Sequence, residues 1–468
     1  MTPIHTSRRP PLHVIRMVRS AASQVIHRTP PALEMVIGLF ILIGVGAGLL
    51  LIPGAATRPL TFMEAVFTST SASAVTGLSV FTPATVLTFW GQVILMILAQ
   101  IGGVSLIVSV SLVSYMLGRE VTLSRRLAVT SSLGLDSPGQ IMRIMLRAMV
   151  LMFIIEGLGA LLLYFHWRIS GIVPAGQAVF YAIFHAVMTF CNAGFDLFTG
   201  LPQYPNGIPS DPISLLIMGF LIILGGLGIP IYMNLIYSRN KRGLSLHTRV
   251  TLVMALILIL VGWVGLLATE YRQNGVLSGM PPLDRFAITW FQSVSTRTAG
   301  FASLPGFSQL KFSSILLIMA LMMIGAGPAS TGGGITTGTF AVLLFAVFSY
   351  ARGYEHIRIG KRSLPNALIR RALVILVLSV SLVILATWLI LYTNPYSLTE
   401  TGFEVISAFS TTGLSLGITA GLNTFGLWVL IIVMFCGRLG AVTIMIAMLG
   451  REPRKKLVEY PEESILIG

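Results

Sequence analysis

Charged residues are scarce in this chain of 468 residues, and cysteine is nearly absent. Aspartate, glutamate, lysine and arginine together account for only 10% of the sequence, which is too few to cover the surface of a water-soluble protein of this length. Cys191 and Cys436 are the only cysteines, and two thiols exclude a disulfide framework and a thiolate metal site. The sequence has neither a His-Glu-x-x-His motif nor a Gly-Lys-Ser/Thr motif. We therefore predict that the chain is not an enzyme.

The sequence is instead dominated by apolar residues, which make up 55% of it and give a mean hydropathy of +0.87. The net charge of +15 does not predict a nucleic-acid partner, because most basic residues fall into five clusters between or beyond the apolar runs, at 8–28, 119–147, 239–249, 352–371 and 451–456. Such clusters mark the cytoplasmic side of a membrane protein. We predict a multi-pass protein of the plasma (inner) membrane, embedded in the lipid bilayer, with both termini in the cytoplasm.

Apolar runs of about 20 residues, the length that spans a bilayer, occur in four pairs, and each pair encloses a shorter apolar segment. Such half-length segments are tolerated in a membrane only where they are buried in protein or line a wet cavity. We therefore predict eight transmembrane helices and four re-entrant helices. The predicted divisions are a basic cytoplasmic tail at 1–32, four repeats at 33–117, 140–237, 250–350 and 367–450, and a cytoplasmic tail at 451–468.

A short phrase with a glycine follows each of the four shorter segments. Its glycines are 117, 106 and 113 positions apart, which indicates one structural unit repeated four times. The predicted fold is an all-α integral membrane protein in which four tandem repeats of span, pore helix, filter loop and span surround a central pore with pseudo-fourfold symmetry. The phrases, called the glycine loops below, are Ala-Val-Thr-Gly-Leu at 74–78, Cys-Asn-Ala-Gly-Phe at 191–195, Arg-Thr-Ala-Gly-Phe at 297–301 and Ser-Thr-Thr-Gly-Leu at 410–414.

Glycine loops of this kind suit a dehydrated monovalent cation. Backbone carbonyls can replace its hydration shell, and glycine adopts with little strain the positive φ that turns a carbonyl toward an axis. The C-terminal end of each re-entrant helix also favours a cation. No ring of carboxylates accompanies the loops, so a divalent ion is not predicted. The predicted selectivity filter, with potassium bound through backbone carbonyls, consists of Val75, Thr76, Gly77, Asn192, Ala193, Gly194, Thr298, Ala299, Gly300, Thr411, Thr412 and Gly413.

Two further features interrupt the apolar runs. The segment Gly-Ala-Gly-Pro-Ala-Ser-Thr-Gly-Gly-Gly at 325–334 cannot continue as helix, because an interior glycine costs about 1 kcal/mol and a proline about 3 kcal/mol relative to alanine. It is either a loop that lines a cavity or a packing hinge. Arg438 lies within the last apolar run, where a charge is costly. It either projects into a cavity or pairs with a buried glutamate, for which the candidates are Glu64, Glu156, Glu400 and Glu404.

The four motifs, their order and the eight-span plan resemble the KtrB/TrkH/HKT superfamily of potassium transporters. The third glycine loop is particularly similar, and the Glu-Tyr-Pro-Glu-Glu run at 459–463 is more similar to KtrB than to TrkH. The resemblance implies potassium uptake through a gated, channel-like pore. In that superfamily a serine in the first loop accompanies sodium preference, so Gly77 implies a potassium-type filter.

The resemblance also implies a gate and partners. The gating loop at 325–338 would cross the pore below the filter, although Thr336 stands where relatives often carry a lysine. A cytoplasmic KtrA-type ring that binds ATP or ADP would regulate a homodimer of the chain, and the basic loops at 119–147 and 352–371 are candidate docking surfaces. No cofactor is predicted for the chain itself, and sodium is considered as an activating or coupled ion. The implied gate residues are Gly325, Gly327, Pro328, Ser330, Thr331, Gly332, Gly333, Gly334 and Arg438.

Two other functions stay open at this level. A non-selective or sodium-preferring conduit would share every feature except the stringency of the filter. A secondary carrier of small solutes would typically show paired repeats with substrate ligands inside the membrane, and four equal repeats count against it.

Overall fold

The protein is described here by a computed structural model, which covers residues 31–104, 141–204, 207–237, 244–271, 275–354, 357–359 and 362–440. Most of the predicted tail at 1–32, the predicted tail at 451–468 and most of the basic loop at 119–147 lie outside these residues. The α-helices are α1 (Pro31–Leu50), α2 (Phe62–Ser73), α3 (Pro83–Val86), α4 (Phe89–Gly103), α5 (Ile141–Ile169), α6 (Ala178–Phe190), α7 (Pro212–Leu227), α8 (Ile229–Tyr237), α9 (Leu246–Glu270), α10 (Pro282–Ser295), α11 (Phe312–Met323), α12 (Thr337–Ala351), α13 (Asn366–Thr393), α14 (Leu398–Phe409) and α15 (Thr424–Leu439).

The described chain is helical apart from a minimal hairpin. Strands β1 (Arg358–Ile359) and β2 (Arg362–Ser363) pair antiparallel, and two 3₁₀ turns occur at Phe307–Gln309 and Thr419–Gly421. The hairpin joins α12 to α13 in a basic stretch that the sequence marks as a connection. The prediction of an all-α protein therefore holds for the body of the molecule but missed this small sheet.

Four long apolar helices are able to cross a membrane by length and composition: Leu33–Leu50, Leu146–Ile169, Leu246–Glu270 and Asn366–Thr393. These helices open the four predicted repeats, and large apolar side chains such as Phe40 and Trp388 project outward from them. The helices that close the repeats are shorter in the described residues, and the predicted spans continue into 105–117 and 441–449, which lie outside them. An all-α membrane protein is thus supported, while the count of eight spans stays a prediction.

The second helix of the second repeat is bent, although the sequence predicted one continuous span there. Pro212–Leu227 and Ile229–Leu235 meet at an angle of 92°. Gly228 has a φ of +87°, and Pro230 supplies no amide hydrogen to the turn before it. The bend accepts part of the gating loop, because the Ile229 amide donates to the Ala329 carbonyl oxygen at 3.2 Å.

The four short helices α2, α6, α10 and α14 occupy the interior and pack in a closed cycle. Each packs against the long helix before it in its own repeat, and each also packs against a helix that closes the preceding repeat. The cycle closes because α15 of the fourth repeat packs against α2 of the first. A glycine loop therefore follows the C-terminal end of every short helix at the centre of the molecule.

Capping boxes fix the start of the first and fourth short helices. The side chains of Thr61 and Glu64 cap each other's backbone amides at α2, and Ser397 and Glu400 do the same at α14. Such caps contribute about 1 kcal/mol each. Arg58 pairs with Glu64 at 2.5 Å and lowers the pKa of that carboxyl to about 2. Both glutamates therefore anchor the starts of their short helices.

Candidate functional site

The four glycine loops meet in one ring. A Cβ added at each filter glycine would approach the carbonyl oxygen of the residue that precedes the glycine in the next loop. At Gly77 this distance is 2.7 Å and at Gly194 it is 3.1 Å, while a Cβ at Gly300 or Gly413 would overlap the oxygen. Only glycine fits such close contact between backbones. The four approaches are Gly77 to Ala193, Gly194 to Ala299, Gly300 to Thr412 and Gly413 to Thr76.

Most amides of the ring donate to the short helices behind it. The amide of the residue before each filter glycine, and in three loops the amide of the glycine itself, donates back to the last turns of the short helix, at distances of 2.7–3.3 Å. Because these amides are engaged with the helices, the carbonyl oxygens of the ring are left available toward its centre. The donor–acceptor pairs are Thr76 and Gly77 with Ser71, Ala193 with Met188, Ala299 and Gly300 with Ser295, and Thr412 and Gly413 with Ser407.

Positive φ angles occur at two places in every loop. The filter glycines have φ between +69° and +97°. The residue two positions before each glycine also has a positive φ, between +50° and +76°. Three of these residues are β-branched, for which this conformation is strained, and strained backbone of this kind clusters at functional sites. Apart from the tolerance of asparagine for this region, nothing in the residue types predicts this conformation. The four residues are Val75, Asn192, Thr298 and Thr411.

Several buried polar groups of the second and third glycine loops and of the gating loop have no protein hydrogen-bond partner in the described chain. They include the Thr298 hydroxyl, both polar atoms of the Asn192 amide and the Thr331 hydroxyl of the gating loop. A buried polar atom without a partner costs about 1–3 kcal/mol. Orphaned oxygens in these loops suit contact with a hydrated or partly hydrated cation.

The gating loop has a closed neck. The Gly325 amide donates to the Ile335 carbonyl oxygen at 2.8 Å, and the Thr337 amide donates to the Ala326 carbonyl oxygen at 3.0 Å. These bonds bring the end of α11 next to the start of α12, so the residues between them project as a loop. Thr336 is the N-cap of α12, where its hydroxyl accepts from the Thr339 amide at 3.3 Å.

The tip of the gating loop lies directly against the glycine ring. The Gly333 amide donates to the Thr411 hydroxyl at 2.9 Å, and a Cβ at Gly332 would overlap the Thr298 hydroxyl. The tip is also held from the sides, since Gly327 donates to Gly226 of α7 at 2.9 Å. The expectation from the sequence that this segment is a loop and not a helix is confirmed. Its tip lies against Thr298 and Thr411 of the third and fourth glycine loops.

Arg438 holds the gating loop to the first repeat. Its guanidinium donates one hydrogen bond to the Thr331 carbonyl oxygen and another to the Gly102 carbonyl oxygen. The alternative of a salt bridge to a buried glutamate is wrong for the four candidates, each of which has other partners. Glu64 binds Arg58, Glu156 binds Gln100, Glu400 caps α14 and Glu404 binds Thr419.

Arg297 is a second arginine at the gating loop, and its role there is not evident from the sequence. Its Nη2 donates to the Thr337 hydroxyl at 2.8 Å and to the Gly325 carbonyl oxygen at 3.3 Å. The same hydroxyl donates to the Gly325 carbonyl oxygen at 2.8 Å. Arg297 thus reinforces the neck of the loop. An arginine three positions before a filter glycine was the available signal, but its partners are distant in sequence.

No group of three or more histidine, cysteine, aspartate or glutamate side chains comes together in the portion of the chain that the structure covers. A Gly-x-Ser-x-Gly pattern does occur at 413–417, as the end of the fourth glycine loop. Its Ser415 hydroxyl contacts the Thr419 hydroxyl and the Gly417 amide. These contacts are those of a turn residue and not of a nucleophile beside a histidine.

The helical membrane fold and the central ring of glycine loops together define a transporter. Among solved structures, the crystal structure of the potassium transporter TrkH from Vibrio parahaemolyticus shares the fold, with a TM-score of 0.68 over 88% of this chain and 83% of that chain at 18% identity. The chain belongs to the TrkH family of cation transport proteins, whose model matches residues 26–460. It is a member of a cation transporter family and not an enzyme.

Curated relatives narrow the kind of transporter. The chain is similar to Ktr system potassium uptake protein B of Bacillus subtilis (strain 168), with 34% identity over 94% of this chain and 97% of the relative. It is also similar to the potassium/sodium uptake protein NtpJ of Enterococcus hirae, with 31% identity over 95% of this chain and 99% of the relative. The family resemblance drawn from the glycine loops is therefore confirmed.

Proposed function

We propose that this chain takes up potassium through a gated, channel-like pore, as the ion-translocating subunit of a Ktr/Trk-type system. The observation that carries the proposal is the closed ring of four glycine loops, most of whose amides donate to the short helices behind them. Within the described residues this leaves the carbonyl oxygens of the ring available toward its centre. A ring of carbonyl dipoles binds a dehydrated monovalent cation without any titratable group. The twelve predicted filter residues, three in each loop, supply the oxygens for potassium.

In this proposal eight spans in four repeats surround the pore, and the gating loop closes it from the cytoplasmic side. Both termini face the cytoplasm, as the five basic clusters predict. The tip of the gating loop contacts Thr298 and Thr411, so a cation that leaves the ring meets the loop next. Conduction then requires the tip to move away from these two threonines.

Regulation is proposed to come from a partner, since the relative named as part of a Ktr system supports one. A cytoplasmic ring of the KtrA type would bind ATP or ADP and act on a homodimer of this chain through its basic connections. The membrane chain itself would hold no cofactor besides the transported potassium. Sodium as an activating or coupled ion is part of the same proposal.

A sodium-preferring or less selective conduit is the second candidate. It is favoured by the similarity to the relative named as a potassium/sodium uptake protein, which extends over nearly the full length of both chains. The two candidates differ only in how strictly the ring distinguishes the two ions.

Purified protein in proteoliposomes distinguishes the candidates. We expect rubidium uptake that external potassium inhibits at much lower concentration than sodium does. Equal inhibition by the two ions would favour the second candidate, and no uptake of either ion by folded protein would contradict the proposal. Liposomes that contain unfolded, heat-treated protein give the background leak.

Replacing Arg438 with glutamine is expected to raise this flux. Each hydrogen bond from the guanidinium to a carbonyl oxygen is charge-assisted and contributes about 1.5–3 kcal/mol, so its loss frees the gating loop and also removes a positive charge beside the ion path. We expect an increase of about tenfold in rubidium uptake by protein that still purifies as a single folded species. Arg370→Gln, which neutralises an exposed arginine, is the control. Lower flux together with a lower melting temperature in Arg438→Gln would refute the proposal that Arg438 holds the gating loop in the closed position.

A further inference from the structure

In three of the four repeats a side chain of the short helix hydrogen-bonds the segment just beyond the filter glycine. His185 Nε2 accepts from the Leu197 amide at 3.3 Å, and Gln292 Oε1 accepts from the Ser303 amide at 2.9 Å. Both of these amides lie three residues after their glycine. In the fourth repeat the Glu404 carboxylate accepts from the Thr419 hydroxyl, six residues after Gly413.

These acceptors are fully buried and each has a fixed orientation. His185 Nδ1 lies 2.7 Å from the Tyr181 carbonyl oxygen, to which it donates. Its Nε2 is therefore the unprotonated nitrogen and is able to accept from the amide. Gln292 Oε1 also accepts from the Ser303 hydroxyl at 3.2 Å.

The first repeat has no counterpart among these contacts. The position nine residues before Gly77, which corresponds to His185 and Glu404, is occupied by Thr68. Its side chain is short, and its buried hydroxyl has no hydrogen-bond partner in the described residues. The ring is therefore supported in this way from three sides.

We propose that His185, Gln292 and Glu404 are positioning residues that hold three filter loops from behind and thereby set how well the ring distinguishes potassium from sodium. The inference rests on the proposed function. The inner part of each loop is fixed by amides that donate to the short helix, and the three side chains fix the outer part. With both ends held, the carbonyl oxygens between them keep a spacing that fits the larger ion and does not contract around the smaller one.

The chain itself supplies a matched substitution. Gln292 performs with a neutral amide what Glu404 performs with a carboxylate, and the second polar atom of each, Gln292 Nε2 and Glu404 Oε2, has no partner in the described part of the chain. Glu404→Gln therefore keeps the acceptor and the shape. Glu404→Met and Gln292→Met remove the acceptor at similar volume, and His185→Phe does so while it keeps a ring.

The test measures rubidium uptake into proteoliposomes against competing potassium and sodium. The quantity compared is the inhibition constant of sodium divided by that of potassium. We expect this ratio to fall by about tenfold in Glu404→Met, Gln292→Met and His185→Phe, which is the scale of a lost buried hydrogen bond. Glu404→Gln is expected to stay within about twofold of the unaltered protein, because it preserves the acceptor.

A purely structural role predicts a different result, namely less folded protein with an unchanged ratio in what folds. The ratio is therefore measured only on protein that elutes as a single species, and any one of the three variants that folds is sufficient. An unchanged ratio in a folded variant overturns the inference, as does a Glu404→Gln ratio as low as that of Glu404→Met. Gly413→Ser is measured in parallel. If Gly413→Ser changes the ratio while the three variants do not, only the inference about the three positioning residues is contradicted. If Gly413→Ser also leaves the ratio unchanged, the proposal that the glycine loops form the selectivity filter is contradicted.

Discussion

Serine in place of Gly413 is expected to abolish selective potassium uptake. The φ of Gly413 is +93°, which a residue with a Cβ adopts only at a cost of about 1–2 kcal/mol. Its Cβ would also overlap the Thr76 carbonyl oxygen and lie 3.0 Å from the Gly77 Cα. The first and fourth loops would have to separate, and the ring would lose the equal spacing of its carbonyl oxygens.

Gly417 provides the matched control for this substitution. It lies four residues further along the same loop with a φ of +100°, but a Cβ there would have no heavy atom within 4 Å. Gly417→Ser carries the same backbone strain without the collision, so we expect near-normal transport. Growth of a potassium-uptake-deficient strain on low potassium, with the amount of membrane protein checked, measures both variants. Normal growth with Gly413→Ser would remove the argument for a glycine filter.

Removal of the tip of the gating loop is expected to increase flux strongly and to make it less dependent on a cytoplasmic partner. The deletion should cover 328–333, which contains the contacts to Thr411 and Arg438. It should spare Ala326, whose carbonyl oxygen closes the neck with the Thr337 amide. Hydrogen bonds that hold the tip contribute about 0.5–1.5 kcal/mol each, so the loss of several corresponds to at least about a tenfold rise in rubidium uptake.

The control for the deletion is Thr331→Ala. This variant removes a hydroxyl that has no partner in the described residues but keeps the carbonyl oxygen that binds Arg438, so we expect a much smaller rise in flux than the deletion gives. Flux that stays unchanged or disappears in a correctly folded deletion protein would show that the segment is a packing hinge and not a gate.

Local sequence was sufficient to predict the parts that repeat. The four short helices and their glycine loops are found where the spacing of the glycines indicated, because a turn that needs glycine and a helix start that needs a cap are local requirements. The bend at Gly228 was missed, although Gly228 and Pro230 were visible, because the apolar run continues through them and the carbonyl that fills the bend comes from residue 329.

The strained and long-range features could not be predicted from the sequence. A positive φ at Val75 or Thr411 contradicts the local preference of a β-branched residue, and only the packing of neighbouring loops imposes it. Likewise, the partners of Arg438 are backbone oxygens more than 100 positions away. Backbone carries no residue-specific signal, so the sequence left a cavity and a buried glutamate open as alternatives and indicated neither of these oxygens.

The closure of α15 against α2 joins four unequal quarters, all encoded in one chain, into a single ring. In a ring of four identical chains, one codon change alters all four ligands at once, and a small energetic change is multiplied by four. Here the residue two positions before the glycine is valine, asparagine, threonine and threonine in turn, and one codon change alters a single quarter. A substitution at that position therefore perturbs one quarter of the ring and leaves the other three as they were.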